Sequence, residues 1–428
     1  MRHLPIDPAL FTENRKRLTK MMAKNSLAVV NANDQMPRNA DALSPVVPQT
    51  DLFHLSGIEQ EETILLLCPG SFDQALREVL FIRESSELLK VWEGYKHTKE
   101  DAAKVSGIRN VRWLSEFESV FHRAMCEVET VYLNSNEHPR ASVVVETRDA
   151  RFVAECQRRY PLHRYERLGR LMFKLRGVKT KREIELIRKA ADVTAKGFRR
   201  VAQMVKPGVM EYEVQAEFAH EFLRNRCDFA YSPIIASGAN SCVLHYVQND
   251  QPLKKGDMLL LDVGASYANY NADCTRTIPV SGRFTKRQRQ VYDAVLRVQR
   301  ASIKSATVGK LHRDWHKESQ MMMNEELLKL GLLKRSDIKN QTEEEPACRK
   351  YYMHGLGHSL GLDVHDYGWT QEPFSDGWVI TVEPGIYIPE EGFGVRLEND
   401  IVVRKGGAED LFKDIPIEAE EIEALMNR

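Results

Sequence analysis

Two pairs of acidic residues stand out because each begins where an apolar run ends. Asp262 closes the run Met258-Leu-Leu-Leu-Asp262, and Asp273 follows eleven residues later, just before Thr275-Arg-Thr277. If the segment between them folds as a symmetric hairpin, its centre falls between Tyr267 and Ala268, and the two acids face each other. Opposed residues of an antiparallel pair have Cβ atoms about 4.5–5.5 Å apart, where like charges repel. The arithmetic recurs: Glu383 follows Trp378-Val-Ile-Thr-Val382, and Glu398 ends Gly394-Val-Arg-Leu-Glu398. The midpoint of that pair is Glu390-Glu391, between Pro389 and Gly392, a composition suited to a turn. The apolar runs predict burial, and a buried unpaired carboxylate is costly. The pattern therefore calls for a metal or for basic partners.

A third feature is His354-Gly-Leu-Gly-His-Ser-Leu-Gly-Leu-Asp-Val-His365, which holds three of the thirteen histidines in twelve residues. Gly355, Gly357 and Gly361 argue against a regular helix there. A single histidine is more often structural than catalytic, but a glycine-rich cluster of them beside two acidic hairpins points to function. The zinc-protease pattern H-E-x-x-H is absent. Four carboxylates and one imidazole form a hard, oxygen-rich donor set that suits Mn²⁺, with Fe²⁺, Co²⁺ or Zn²⁺ as alternatives. Bridging carboxylates can hold two ions about 3.5–4 Å apart, a spacing that activates a bridging water.

These residues need elements to position them. Strands are expected at Met258–Val263, Arg276–Val280, Trp378–Val382 and Asp400–Val403, with a largely helical stretch over 286–326. Upstream, Ile184, Ile187, Ala191, Ala195, Phe198, Ala202 and Val205 recur every three or four residues, one face of a helix that begins near Thr180. Pro207-Gly208 ends it, and a second helix carries Val214, Phe218 and Phe222. A seam near Gly177 separates this half, residues 176–428, from an N-terminal domain over residues 1–175. There Leu27–Val30, Thr63–Cys68, Val79–Ile82 and Val131–Leu133 read as short buried strands, and Asn14–Lys24 as a helix. This is an α/β domain with a mixed sheet covered on both faces.

Composition narrows the class. In 428 residues, 61 Lys and Arg balance 61 Asp and Glu, which argues against nucleic acid or an anionic membrane as the main partner. A hydrophobic fraction of 43% with 29% charged residues is an ordinary globular mixture. No run approaches the ~18 consecutive apolar residues of a membrane helix. Charged residues interrupt the first 27 positions, so no secretory leader is expected. Seven scattered cysteines without a C-x-x-C read as free thiols of a reducing cytoplasm.

Taken together, Leu260-Leu-Asp-Val-Gly264 with Asp273-Cys-Thr-Arg-Thr277, His354-Gly-Leu-Gly-His358 with Leu362-Asp-Val-His365, Val382-Glu-Pro-Gly385 and Gly394-Val-Arg-Leu-Glu398 resemble the pita-bread metallopeptidases. Thr50-Asp-Leu-Phe-His-Leu-Ser-Gly57, Glu87-Leu-Leu-Lys-Val-Trp-Glu-Gly94, Val243-Leu-His-Tyr-Val-Gln-Asn249 and Glu420-Glu-Ile-Glu-Ala-Leu-Met426 are similar to segments of its aminopeptidase P branch. The resemblance implies an α+β pita-bread catalytic domain. Its implied activity is hydrolysis of the bond between an N-terminal residue and a following proline by a metal-bridging hydroxide. A prolidase, restricted to Xaa-Pro dipeptides, is the alternative.

The metal ligands implied are Asp262, Asp273, His358, Glu383 and Glu398, with two divalent ions, Mn²⁺ foremost. Asp262 would chelate one ion, Asp273 and Glu398 would bridge both, and Glu383 would orient the hydroxide and shuttle its proton. His245 and His365 would bind substrate and stabilise the oxyanion, and His354 and Arg396 would line a pocket for proline. A homo-oligomer, dimer or tetramer, is implied, with Trp92 in a segment like a known subunit contact. The sequence departs from the family at Asn271-Ala272, where Gly commonly precedes the second Asp. Related amidinohydrolases and histone-chaperone copies of the fold lack ligands that are all present here. Methionine aminopeptidases lack the first ~175 residues.

Overall fold

The structure is a computed structural model that describes residues 3–368 and 371–427. The chain divides into two compact units, one over His3–Leu175 and one from Arg176 onward. The first is built on six strands: β1 (Ser26–Asn31), β2 (Ile64–Leu67), β3 (Glu78–Ile82), β4 (Val111–Trp113), β5 (Thr130–Leu133) and β6 (Arg164–Arg167). Their order is β4-β3-β2-β1-β5-β6. β1 runs antiparallel to β2 and parallel to β5, so the sheet is mixed. Every residue of β1 and β2 is buried, as expected of strands covered on both faces. Leu27, Val29, Leu66 and Phe81 pack there against Phe117 and Phe121. The edge strands β4 and β6 carry no apolar run of their own, so pattern alone does not reveal them. The first helix spans Ala9–Met21 rather than the expected Asn14–Lys24, because it starts directly after Pro8.

In the second unit the long helix Lys181–Met204 opens on a capping box. The Thr180 side chain accepts the Glu183 N–H, and the Glu183 carboxylate accepts the Thr180 N–H. Its buried stripe includes Ile184, Ile187, Ala191, Ala195, Phe198 and Ala202, as the period predicts. It packs against the helix Glu211–Arg224, which buries Val214, Phe218 and Phe222. The expected helical stretch over 286–326 is two helices, Lys286–Ser305 and His312–Lys329, parted at Gly309, whose φ is +92°.

Among the described residues this unit also holds the strands β7 (Asp228–Phe229), β8 (Ile234–Ser237), β9 (Met258–Asp262), β10 (Ala265–Tyr267), β11 (Tyr270–Asn271), β12 (Thr275–Pro279), β13 (Val379–Val382), β14 (Gly385–Ile388), β15 (Phe393–Arg396), β16 (Asn399–Val402) and β17 (Glu409–Asp410). They form the antiparallel groups β12-β9-β8, β11-β10-β7, β13-β16-β17 and β14-β15. Among the described residues no helix is long and apolar enough to cross a membrane.

The first hairpin departs from the expected register. β9 pairs with β12 so that Asp262 faces Thr275, and the same register continues to Tyr267 opposite Tyr270. The turn is Ala268-Asn269, with φ of 52° and 63°. Two consecutive positive φ values are those of a type I′ loop, whose twist matches the flanking strands. Ala268 carries no hint of that conformation, so the centre lies one residue beyond the symmetric guess. The shift moves the pairing by two residues and therefore preserves parity: Asp262 and Asp273 still share a face. The second hairpin keeps its expected register, with Gly385 opposite Arg396 and Val382 opposite Asn399, around a reversal at Pro389–Glu391.

A tight contact between the two long helices gives a test. A Cβ on Gly197 would lie 2.7 Å from the Phe218 ring and 3.1 Å from that of Phe222. Alanine would add up to ~1 kcal/mol of helix propensity, but overpacking costs about 1–3 kcal/mol. Gly197→Ala is expected to lower the melting temperature. An increase would mean that the rings move aside at little cost.

Candidate active site

Asp262 lies at the end of β9, and Asp273 between β11 and β12. Their Oδ1 atoms both lie within hydrogen-bond reach of the Tyr231 hydroxyl, at 2.6 and 2.5 Å. The other oxygen of Asp262 accepts from Arg396 Nη2 at 2.6 Å. Asp273 receives its own backbone tether, its N–H donating to buried Asp400 at 2.9 Å. Glu398, just past β15, accepts from Thr275 Oγ1 at 2.6 Å, and its N–H donates to the Thr275 carbonyl. Thr275 thus sits opposite Asp262 and links the two hairpins.

The histidine segment runs beside β13 as irregular extended chain. Thr381 N–H donates to the His358 carbonyl, Glu383 N–H to the Leu356 carbonyl, and His358 N–H to Thr381 Oγ1. Gly357 permits this approach, since a Cβ there would fall 2.0 Å from the Thr381 carbonyl oxygen. The contact brings His358 Nε2 to 3.5 Å from Asp273 Oδ2 and 3.6 Å from Glu383 Oε1. Potential ligand atoms of Asp273, His358 and Glu398 lie within 4.8 Å of one another. His365 is exposed, with its ring 4.4 Å from that of His358, edge to face. His245 is exposed too, and its charge would reach His354.

His354 and Arg396 occupy a different position from the other site residues. Arg396 is buried and donates to Asp262, to Thr275 Oγ1 at 3.1 Å and to the Tyr387 hydroxyl at 2.8 Å. That hydroxyl also lies 2.8 Å from His354 Nε2, while His354 Nδ1 lies 2.8 Å from the Gly355 carbonyl. A carbonyl only accepts, so Nδ1 carries a hydrogen; an arginine only donates, so the tyrosine proton turns toward Nε2. Burial and the Arg396 charge push His354 down to about 3, which keeps the ring neutral. Both of its nitrogens are thereby committed.

The electrostatics are dominated by crowding. Burial, then the charges of Asp273, Glu383 and Asp262, hold Glu398 well above the carboxylate range. Burial pushes Glu383 up to about 7 against the pull of His358 and Arg396, and it raises Asp262 as well. Asp273 moves down, because its bonds to His358 and Tyr231 outweigh burial. Four carboxylates thus meet Arg396 and His358 as the nearby cations, a donor set deficient in positive charge and able to hold hard divalent ions.

The sequence reading missed several residues that tie this site together. Tyr387 could have been found by parity, two residues from Gly385 and directly opposite Gly394 in the hairpin. Tyr231 gave no signal, because it enters from a loop remote in sequence. The departure at Asn271-Ala272 has a local use: Asn271 donates from its backbone to the Gly361 carbonyl and from Nδ2 to that of Leu362, both at 2.9 Å. It joins the first hairpin to the histidine segment.

With this geometry in view, the chain can be set beside known proteins. Residues 185–405 match metallopeptidase family M24, and residues 11–132 match the aminopeptidase P N-terminal domain. The chain is 33% identical over 430 residues to the Xaa-Pro aminopeptidases of Haemophilus influenzae and Escherichia coli, covering 97% of each chain in both comparisons. Zinc-substituted E. coli aminopeptidase P in complex with product superimposes with a TM-score of 0.87 at 31% identity, over 99% of both chains. The Pseudomonas aeruginosa aminopeptidase gives 0.88 at 30% identity, over 100% of this chain and 99% of that one. The chain therefore belongs to metallopeptidase family M24, a family of hydrolases, with a mixed-sheet α/β domain followed in sequence by a pita-bread α+β domain. Within that family it stands with the aminopeptidase P proteins, whose two domains it carries.

The anchor of the histidine segment gives a prediction. Asp366 is buried and accepts from Arg176 Nη2 at 2.6 Å and Lys179 Nζ at 2.9 Å. Burial opposes its ionisation, but the two cations outweigh burial and hold the carboxyl below its usual range. A depressed folded value stabilises above the unfolded value of about 3.9 and is lost as pH falls through the folded one. At pH 7, Asp366→Ala takes the carboxylate from buried Lys179 and one of two carboxylates from Arg176, which keeps Asp363, and is expected to destabilise by about 3–5 kcal/mol. In urea titrations the gap between variant and wild type should narrow below pH 4. A gap under ~1 kcal/mol at pH 7 would remove the anchoring role.

Proposed function

We propose that this chain is a dinuclear, Mn²⁺-dependent Xaa-Pro aminopeptidase, which releases an N-terminal residue that precedes proline. The observation that carries the reading is the convergence of Asp273, His358 and Glu398 within 4.8 Å, flanked by Asp262 and Glu383. Those five residues would hold the ions. When bound, two divalent ions supply Lewis acidity at the scissile carbonyl and a water activated at neutral pH.

The chain's own groups do the rest. Glu383 takes a proton and returns it to the departing proline nitrogen. Exposed His365 offers a ring N–H to the carbonyl oxygen as charge develops there, and His245 binds the substrate beside it. His354, neutral and with both nitrogens engaged, contributes its ring to the proline pocket rather than a proton. Arg396 acts on that pocket from behind, as the residue that positions Asp262 and Tyr387. Proline's tertiary amide lacks an N–H and has a fixed φ, so a site that grips the ring suits it better than one that grips extended backbone.

Residues 1–175 and 176–428 are the N-terminal and catalytic domains in this reading. Among the described residues no disulfide joins the cysteines, which accords with a reducing cytoplasm. On the helix Glu87–Glu93, Leu88, Val91 and Trp92 are exposed at i, i+3 and i+4, an apolar face that suits self-association as a dimer or tetramer. Peptides are the partners, with neither nucleic acid nor membrane required.

Peptide length tests the proposal. Tripeptides and longer peptides with proline second should be cleaved with higher kcat/KM than Xaa-Pro dipeptides, and peptides with alanine second should be poor substrates. Cleavage of dipeptides alone would make the enzyme a prolidase with the same site. No cleavage with Mn²⁺ present would contradict the reading altogether.

A further inference from the structure

Two further histidines touch the histidine segment from the helix His312–Lys329. Residues four apart on a helix share a face, with Cβ atoms about 5–6 Å apart. His312 and His316 are such a pair. His312 Nε2 lies 2.9 Å from the Gly357 carbonyl oxygen, and the Leu356 N–H donates to His316 Nδ1 at 3.2 Å. Leu356 and Gly357 are buried, so these backbone groups depend on protein partners rather than on bulk water.

The two rings hold opposite roles. A carbonyl only accepts, so His312 Nε2 carries a hydrogen. A backbone N–H only donates, so His316 Nδ1 is bare and the hydrogen of the neutral ring sits on Nε2. The Gln320 amide lies 3.0 Å from that nitrogen, and a hydrogen there requires the oxygen end of the amide to face the ring. Burial, then the neighbouring His312, push His316 down to about 4, so its acceptor is available at neutral pH. Aromatic packing holds both rings in place. His312 lies 5.7 Å from Trp315 and 6.3 Å from Phe374, both edge to face. His316 lies 6.2 Å from Tyr352, whose ring is 5.1 Å from that of His354.

The peptide they grip is the one that matters for the site. The Leu356 carbonyl accepts the Glu383 N–H, and His358 exchanges bonds with Thr381 through its N–H and its carbonyl. The stretch Leu356–His358 is thus tied to β13 and to the helix, with no ladder of its own. Losing the His316 acceptor leaves a buried N–H unpaired two residues from His358, and an unpaired buried donor drives local rearrangement.

We infer that His312 and His316 are positioning residues of the metal site: they clamp Leu356 and Gly357 and thereby aim His358 and Glu383. The inference rests on the reading of those two residues as ligands. It assigns the helix a part in hydrolysis that no acid or exposed histidine of the site performs.

The test titrates Mn²⁺ into the chelator-stripped full chain by calorimetry and follows melting temperature and peptide cleavage alongside. His316→Phe keeps a ring and removes the acceptor. It should weaken Mn²⁺ binding about tenfold or more, the scale of losing an outer partner of a metal ligand. At saturating Mn²⁺ its kcat should fall while KM for an Xaa-Pro tripeptide stays nearly unchanged. His316→Asn sets an amide oxygen where Nδ1 stood, gives up the ring contact with Tyr352, and should restore Mn²⁺ affinity to within about threefold of wild type. In case His316→Phe folds poorly, His312→Met and His312→Gln repeat the comparison at the other anchor, where only Gln supplies a donor in place of Nε2. A merely structural role would make affinity follow melting temperature, with Asn no better than Phe and Gln no better than Met, and that result would overturn the inference. So would Mn²⁺ affinity unchanged in both His316→Phe and His312→Met. Wild-type protein that binds no Mn²⁺ would overturn the metallopeptidase reading, and this inference with it.

Discussion

Asp262, Asp273, Glu383 and Glu398 crowd together where little water reaches them, and their repulsion sets the terms for everything nearby. Arg396 and His358 offset part of it. The remainder leaves Glu398 and Asp262 above their ordinary range and Glu383 at about 7. Such a cluster is tenable only if its neighbours hold the carboxylates in place and a cation completes the charge. The pita-bread domain can be understood as the means to both ends.

Its parts act in concert. Two hairpins deliver the acids, each from the end of a buried strand whose backbone is fixed by its ladder. Thr275 and Arg396 connect the hairpins through side chains, so Asp262, Arg396 and Glu398 cannot shift independently. The histidine segment has no helix or regular strand of its own. Contacts with β13 at one end and the Arg176–Asp366–Lys179 cluster at the other hold it instead. Pre-positioning of this kind matters for hydrolysis, because groups aimed in advance need not reorganise as charge develops.

Much of this was legible before any coordinates. The acidic pairs announced themselves because an acid after an apolar run predicts a buried charge, and parity kept Asp262 and Asp273 on one face even though the turn lay one residue away. Gly355 and Gly357 correctly excluded a helix. Burial patterns gave the central strands β1, β2, β3 and β5, whereas the edge strands β4 and β6 were invisible, since an edge does not require an apolar run. What stayed hidden was the outer layer of the site. Tyr231, Thr381 and Asp400 act through contacts made across long stretches of chain, and neither type nor spacing marks them. The role of Arg396 was legible only in part: its strand position was right, but its commitment to Asp262, Thr275 and Tyr387 depends on packing.

The central claim is that the buried acids and His358 are metal ligands, while His365 acts on the substrate. Metal analysis of purified wild-type protein, His358→Ala, His365→Ala and Glu398→Ala after loading with Mn²⁺ tests it most directly. The account predicts about two ions per chain in wild type and His365→Ala, with kcat in the latter reduced roughly 10²–10³-fold, the scale of losing one oxyanion donor. It predicts loss of metal in His358→Ala and Glu398→Ala. Full metal content and rate in Glu398→Ala, or metal lost from His365→Ala and kept in His358→Ala, would contradict it.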